Sequence, residues 1–330
     1  MNSDTKHMDL NRRQFLSRSA KAAVCVAAAC GTGFWFHDTR VPVSTSAAGS
    51  NSGPLEFSIK DLPPKMAIVR GAERRIALNS ALKALGGIET FVKKNDRVLL
   101  KVNAAFASPP MLSATTHPDV VSEMTRLCLE AGAASVAVTD NPINDPSSCF
   151  TLTGIMEAAR AAGATLVMPN QDAFRPYSLP HARLIRNWPV LLKPLENVTK
   201  VIGLAPVKDH HRSGASLTMK NWYGLLGGRR NIFHQDINTI ICELALMVRP
   251  TLVILDGTVS MMSNGPTGGS LSDLKQTNTM IASTDAVAAD AFGATLLGKS
   301  PAELPYIGKA EAAGVGKADY RVLKPVEVSL

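Results

Sequence analysis

The side chains able to do chemistry concentrate between residues 203 and 234, which read GLAPVKDHHRSGASLTMKNWYGLLGGRRNIFH. Three of the five histidines beyond residue 48 lie there (His210, His211 and His234), interleaved with Lys208, Lys220 and Asn221. Neutral imidazoles suit zinc, nickel, copper or iron, and a carboxylate such as Asp236 or Asp256 would complete a shell. The favoured version of this reading is a mononuclear metal held by His210, His234 and Asp256. Consecutive side chains of a strand point to opposite faces, so His210 and His211 share a site only if the segment is a loop. Lys220-Asn221 sits beside Trp222 and Tyr223 at an apolar helix start. A lysine there binds an anion or, once desolvated, acts as a base. Solvated loop histidines and a snorkelling lysine on a capped helix are the plainer alternatives.

Two later stretches carry further candidates. Gly265-Pro-Thr-Gly-Gly-Ser270 follows the Asp256-Gly257 turn, and amides at Gly265, Gly268 and Gly269 could converge on a phosphate or carboxylate. A plain flexible loop is the competing reading, and no Gly-Lys-Ser/Thr makes it a P-loop. Ser283-Thr-Asp285 caps a helix from Ala286, and Asp290 within that apolar helix is a buried acid in need of a partner. Serine-hydrolase elbows, His-Glu-x-x-His pairs and dinucleotide fingerprints do not occur.

The elements that must position these residues alternate between strand and helix. Strands are expected at 66–70, 97–102, 135–140, 164–168, 199–205, 251–256 and 279–283. Helices are expected at 75–92, 118–131, 152–162, 237–248 and 286–297. This predicts a single large α/β domain over residues 65–330, its mostly parallel sheet flanked by helices. Ligands of such sheets gather at the carboxyl ends of the strands. Asn103, Asp140 and Asn141, Lys208 to His211, and Asp256 all fall at expected strand ends.

The start of the chain is of another kind. Arg12-Arg13-Gln14-Phe15-Leu16 precedes a mildly apolar run from Ala20 to Phe36. The pattern is that of a twin-arginine signal over residues 1–48, read by the twin-arginine translocase during export. Cleavage after Ala48 would release a periplasmic protein; a retained leader or lipid on Cys30 would anchor it to a membrane. Residues 49–64, rich in Ser, Gly and Pro, read as a linker.

Composition narrows the function. The chain carries +8, and residues 1–48 hold six of its Lys/Arg and three of its Asp/Glu, leaving the remainder at +5. No basic run concentrates that charge, which argues against nucleic acid. Cys128, Cys149 and Cys242 remain beyond the leader, with no Cys-x-x-Cys, which argues against an iron–sulfur cluster. No motif fixes an oligomeric state.

The order of several short motifs carries a resemblance. Lys101-Val-Asn103, Thr116-His-Pro118, Lys208-x-His210, Leu217-Thr-Met-Lys-Asn-Trp-Tyr-Gly224, His234, Asp256-Gly257, Gly265-Pro-x-Gly268 and Ser283-x-Asp-x-Val-Ala-x-Asp290 occur in sequence. Together they resemble the domain of unknown function 362 family over roughly residues 65–320. Members of that family often carry a ferredoxin-like segment, whose cysteines are missing here. Val102 stands where the family commonly has proline. The resemblance implies a fold and a site location but no reaction. Lys101, Asn103, Lys208, Lys220 and Asn221 are the candidate catalytic residues. The expected function is a periplasmic enzyme or redox accessory with a metal. The alternatives are a non-catalytic binding module for a small anion, or an accessory subunit of an exported complex.

Overall fold

A strongly apolar run at residues 252–255 and others at 66–69 and 98–100 form the centre of a nine-stranded sheet, buried on both faces. The computed structural model describes residues 53–330; the twin-arginine segment and Cys30 lie outside the described residues. In chain order the sheet uses β1 (Met66–Arg70), β2 (Arg97–Lys101), β3 (Ser135–Thr139), β4 (Thr165–Val167), β5 (Lys200–His210), β6 (Gly214–Ser216), β7 (Leu252–Met261), β8 (Leu274–Ser283) and β9 (Val326–Ser329). The spatial order is β9-β1-β8-β7-β5-β2-β3-β4, with β6 paired to β5 alone. Contacts β7–β5, β5–β2, β2–β3, β3–β4 and β9–β1 are parallel. Only β8 (against β7 and β1) and β6 run antiparallel to their neighbours. The α/β class with a mostly parallel sheet is thus as the alternation predicts.

Helices cover both faces. On one side α1 (Arg74–Ala84), α2 (Pro118–Glu130) and α4 (Ile155–Ala161) bury Leu78, Val121 and Ile155 against the sheet. On the other, α6 (Ile237–Met247), α7 (Ala286–Leu296) and α8 (Pro305–Ala312) bury Ile241, Phe292 and Ile307. The expected 75–92 helix stops at Ala84 because Gly86 and Gly87 take positive φ, which an α-helix cannot accommodate. The expected 152–162 helix starts later, as α4, and an additional helix, α3 (Pro146–Leu152), precedes it, the two parted by Gly154 at φ 71°.

Two strands run further than expected. β5 continues through Pro206-Val-Lys-Asp-His210 because β6 supplies a partner, with Lys208 opposite Ser216 and His210 opposite Gly214. β7 continues to Met261 because β8 pairs with it to Leu274. Asp256 therefore sits inside a strand rather than at its end. The stretch expected to be a linker is fastened in its latter half: Leu55–Glu56 pairs with Val248–Arg249, and Thr251 Oγ1 donates to the Phe57 carbonyl at 2.7 Å. Cys128, Cys149 and Cys242 are free and buried. No helix among the described residues is long and apolar enough to cross a membrane.

Candidate functional site

The chain leaves β2 outward, adds β3 and β4, then returns to the opposite side of β2 as β5. That reversal opens a crevice at the carboxyl ends of β2 and β5. A one-turn helix, α5 (Thr218–Asn221), plugs it. The Asn221 side-chain amide donates to the carbonyls of Lys101 (3.2 Å) and Leu204 (3.1 Å), one on each diverging strand. Thr116 Oγ1 donates to Leu204 O at 2.8 Å and accepts from Asn103 N at 2.7 Å. Asn103 and Asn221 thus hold the crevice open while lining it.

Asp290 sets the position of α5. Its carboxylate accepts from Thr218 N (2.7 Å), Met219 N (3.1 Å) and the Thr218 hydroxyl. Burial pushes its pKa up to about 7 against the pull of these bonds. The acid expected to need a partner therefore has one, and it acts by placing Lys220 and Asn221. Asp285 caps α7 through Ala288 N as expected, at 2.9 Å.

The resulting cavity has a volume of about 390 Å³. Period-two alternation turns Lys208 and His210 of β5 into it, with Ser216 opposite Lys208 on the same face. Lys220, Tyr223, Arg230 and His234 close the other wall. Lys101 lies directly behind, 1% exposed, paired to Asp140 at 2.8 Å. Asp140 also accepts from Ala104 N (2.6 Å) and Asn141 N (2.9 Å), so its oxygens are engaged. Gly224 packs onto this pair: a Cβ there would lie 1.8 Å from Asp140 Oδ1 and 2.8 Å from Lys101 Nζ. Gly224→Ala is expected to cost about 1–3 kcal/mol, or more if the ion pair parts, measured by denaturant unfolding.

No carboxylate among the described residues pairs directly with the cations of the cavity, although Asp140 acts on Lys208 and Arg230 from further away. Lys208 Nζ donates to the carbonyls of Ala114 and Pro266 and lies 5.1 Å from the Phe106 ring centroid. Lys220 Nζ lies 5.2 Å from the Tyr223 ring and has no hydrogen bond or salt bridge among the described residues. Arg230 donates to four backbone carbonyls, those of Tyr223, Leu226, Asn141 and Pro142. Desolvation, and for Lys208 the charge of Lys220, brings both lysines down to about 7; for Lys220 the second cause is Arg230.

The three imidazoles form a stack. His210 lies between His211, at 5.0 Å and 7°, and His234, at 5.8 Å and 15°. β5 ends at His210, so the turn after it frees His211 to come onto the same side. The His210 Nδ1 accepts from Arg212 N (3.2 Å) and Ser213 N (3.3 Å), which places its proton on Nε2. His211 Nδ1 donates to Gly265 O at 3.3 Å. His234 Nδ1 faces Asn231 O (3.3 Å) and the Tyr223 hydroxyl (3.2 Å), which itself donates to Arg230 O. One N–H donor is therefore flanked by two imidazoles whose Nε2 lone pairs are free. Burial and the neighbouring lysines drive His210 down to about 2, and burial with Lys220 lowers His234.

This geometry revises the metal expectation. Asp256 is turned away to Arg74 of α1, at 2.8 Å, and does not line the cavity. A ligating histidine donates its second nitrogen to an acceptor, whereas His210 Nδ1 receives two N–H donors and its Nε2 has no lone pair to offer. Parallel rings also direct their lone pairs side by side rather than at one point. Among the described residues no group of three His, Cys, Asp or Glu side chains could hold a metal ion. The glycine loop is likewise not an anion cradle. Gly265 N donates to Asp209 Oδ2 (3.2 Å), Gly268 N to Asn264 O (3.0 Å), and Gly269 N serves the Asp273 carboxylate. The loop touches the cavity through Pro266 alone.

Lys101, Asn103, Lys208, His210, Lys220, Asn221 and His234 are thus brought together, and Asp256 with the three glycines is not. Arg230, Ser216 and Phe106 were not legible as site residues. Only the Arg229-Arg230 pair close to His234 hinted at the first.

Fold and site together define an α/β protein with a cation-rich cavity, open to solvent on one side, at the switch point of its sheet. The chain belongs to the family described as Domain of unknown function (DUF362), whose model matches residues 98–295. It is 27% identical over 254 residues to a thylakoid-associated protein of Synechocystis sp., covering 72% of this chain and 74% of that one. Among solved structures it resembles a lactate racemase apoprotein from Thermoanaerobacterium thermosaccharolyticum at a TM-score of 0.37 and 12% identity. A Thermotoga maritima protein matches at a TM-score of 0.35 and 13% identity. The matches cover 69% and 75% of this chain but only 55% and 60% of those structures.

Proposed function

We propose that the cavity binds a small anionic molecule and performs proton-transfer chemistry on it. The observation that carries this reading is a pair of buried lysines, Lys208 and Lys220, facing one cavity whose single lining carboxylate among the described residues, Asp140, is already paired with Lys101. An uncompensated buried cation is costly unless it sheds its proton or acquires an anion. A phosphate or carboxylate supplies that anion. His211 and His234 then offer free ring nitrogens as bases beside it, and His210 an N–H donor. Lys101, Asn103 and Asn221 act by holding the crevice in shape.

Thermal unfolding with inorganic phosphate and with pyruvate tests the reading. Saturation near 100 Kd is expected to add about 2.7 kcal/mol, roughly 5–10 °C for a domain of this size. Lys208→Met and Lys220→Met are each expected to abolish the shift while remaining folded. A wild-type protein that neither anion stabilises would sink the proposal. Three imidazoles on one wall keep a metal as the second reading, although the rings would have to rotate and His210 lose two bonds. Stabilisation by zinc or nickel alone, with none from anions, would favour it.

The Arg12-Arg13 leader supports export through the twin-arginine route, and the relative described as thylakoid-associated supports a membrane-proximal setting. Mass spectrometry of the mature amino terminus checks both. A start at Gly49 is expected; lipid on Cys30 would mean an anchored form.

A further inference from the structure

We propose that Lys220 is a covalent nucleophile: its Nζ forms a Schiff base with a small carbonyl compound that also carries an anionic group, the 2-oxo acid class. The inference rests on the anion-binding reading and deepens it, because the two lysines of the cavity are held so differently.

Lys208 is the lysine of the pair that is tied down at its head group. Its ammonium donates to two backbone carbonyls, Ala114 O and Pro266 O, and these acceptors favour the charged form. Lys220 has neither acceptor nor carboxylate among the described residues, and is flanked by the Tyr223 ring and the Arg230 guanidinium. A desolvated lysine beside other cations is the environment that yields a neutral, reactive amine. Its backbone is fixed, since Asp290 holds the start of α5 and Asn221 ties its end to two strands. Lys208 would take the anionic group of the substrate, and Lys220 would meet its carbonyl carbon.

Imine formation needs only the amine, the carbonyl compound and one proton from solvent. The Nζ lone pair forms the N–C bond as the carbonyl π pair moves to oxygen, which takes one proton from the amine. That hydroxyl takes a second proton from solvent and leaves as water, giving the protonated imine. No oxidant or reductant is involved. The positive imine then serves as an electron sink for a proton removed from the adjacent carbon, and the free nitrogens of His211 and His234 are the candidate bases.

The test treats the purified protein with pyruvate and sodium borohydride at pH 7, with peptide mapping and parallel thermal unfolding. A single reduced adduct on Lys220 is expected, exceeding any exposed lysine by about tenfold or more, because exposed amines are almost fully protonated there. Inorganic phosphate should suppress it. Lys220→Arg should lack it yet still be stabilised by phosphate, which shows that the variant folds. If pyruvate and phosphate stabilise the wild type but borohydride fixes nothing at Lys220, the nucleophile is overturned and the anion site survives. Adducts scattered equally over wild type and Lys220→Arg would also overturn it. No stabilisation and no adduct would overturn both readings.

Discussion

Asp140→Asn is expected to lower the free energy of unfolding by about 3–5 kcal/mol, roughly 10 °C in Tm. The substitution removes the one negative charge paired with Lys101 among the described residues, and the lysine is buried beyond reach of water. Burial already lowers the Lys101 pKa, with Asp140 pulling the other way. Without that carboxylate the lysine must shed its proton or stay charged and unpaired. An amide in place of the carboxylate also sets an N–H donor against Ala104 N, Asn141 N or the ammonium, all of them donors. Lys101→Met in the same background is expected to recover only part of the loss. It removes the stranded charge but leaves the carbonyls of Val102 and Asn221, which accept from Nζ at 2.6 and 2.9 Å, without their donor. Denaturant unfolding of the single and double variants measures both effects. A loss below about 1 kcal/mol for Asp140→Asn would show that Lys101 is held by its carbonyls rather than by the ion pair.

The same neighbourhood shows what was legible in the sequence. Apolar runs such as 66–69, 98–100 and 252–255, too short for helices and bounded by polar residues, read as strands covered on both faces, and their alternation with helices gives the fold class. The site was legible where polar residues close such runs: Lys101 as the last residue of β2, Asn103 just after it, and Asp140 after β3. It was less legible in Pro206-Val-Lys-Asp-His210, where proline and three charged or polar residues look like a loop. A partner strand at 214–216, too short to announce itself, makes this stretch a strand and decides which side chains face the cavity. Asp256 failed as a ligand for the corresponding reason. Its strand continues past it against β8, and Arg74, distant in sequence, claims the carboxylate. The glycines of 265–269 were legible as a turn but not as one whose amides are already satisfied by Asp209, Asn264 and Asp273. Hydrogen-bond partners brought together by tertiary structure leave no local trace.

Between pH 7 and pH 9 the ligand-free protein is expected to grow more stable, against the usual trend for a protein near neutrality. In the folded state Lys208 and Lys220 titrate at about 7, displaced from 10.5 by burial and by nearby positive charge. The unfolded chain keeps both protons up to about 10.4. Above pH 7 the unfolded state thus binds more protons than the folded one, so stability rises with pH; below 7 both states hold both protons and the lysines contribute their full penalty. Each fully separated lysine adds roughly 1.4 kcal/mol per pH unit, so the pair adds roughly 3–5 kcal/mol across two units. Lys101, also lowered by burial although Asp140 pulls the other way, acts in the same direction as the cavity lysines, and the remaining shifted groups act mainly outside this window. Asp290, raised from 3.8 to about 7, loses stability as pH rises towards 7 and is spent above it. His210, lowered from 6.5, has completed its contribution by about pH 6.5. The thiols Cys128 and Cys149, raised from 9.0 to about 12 and about 11, oppose the lysines only above about pH 9. Saturating phosphate should flatten or reverse the rise, because an anion favours the protonated lysines and binds best where they are charged. Lys208→Met with Lys220→Met should flatten it with no ligand present. Urea midpoints at pH 7, 8 and 9 measure the slope, and a midpoint that falls over this range in the ligand-free wild type would mean that both ammonium groups stay charged inside the cavity.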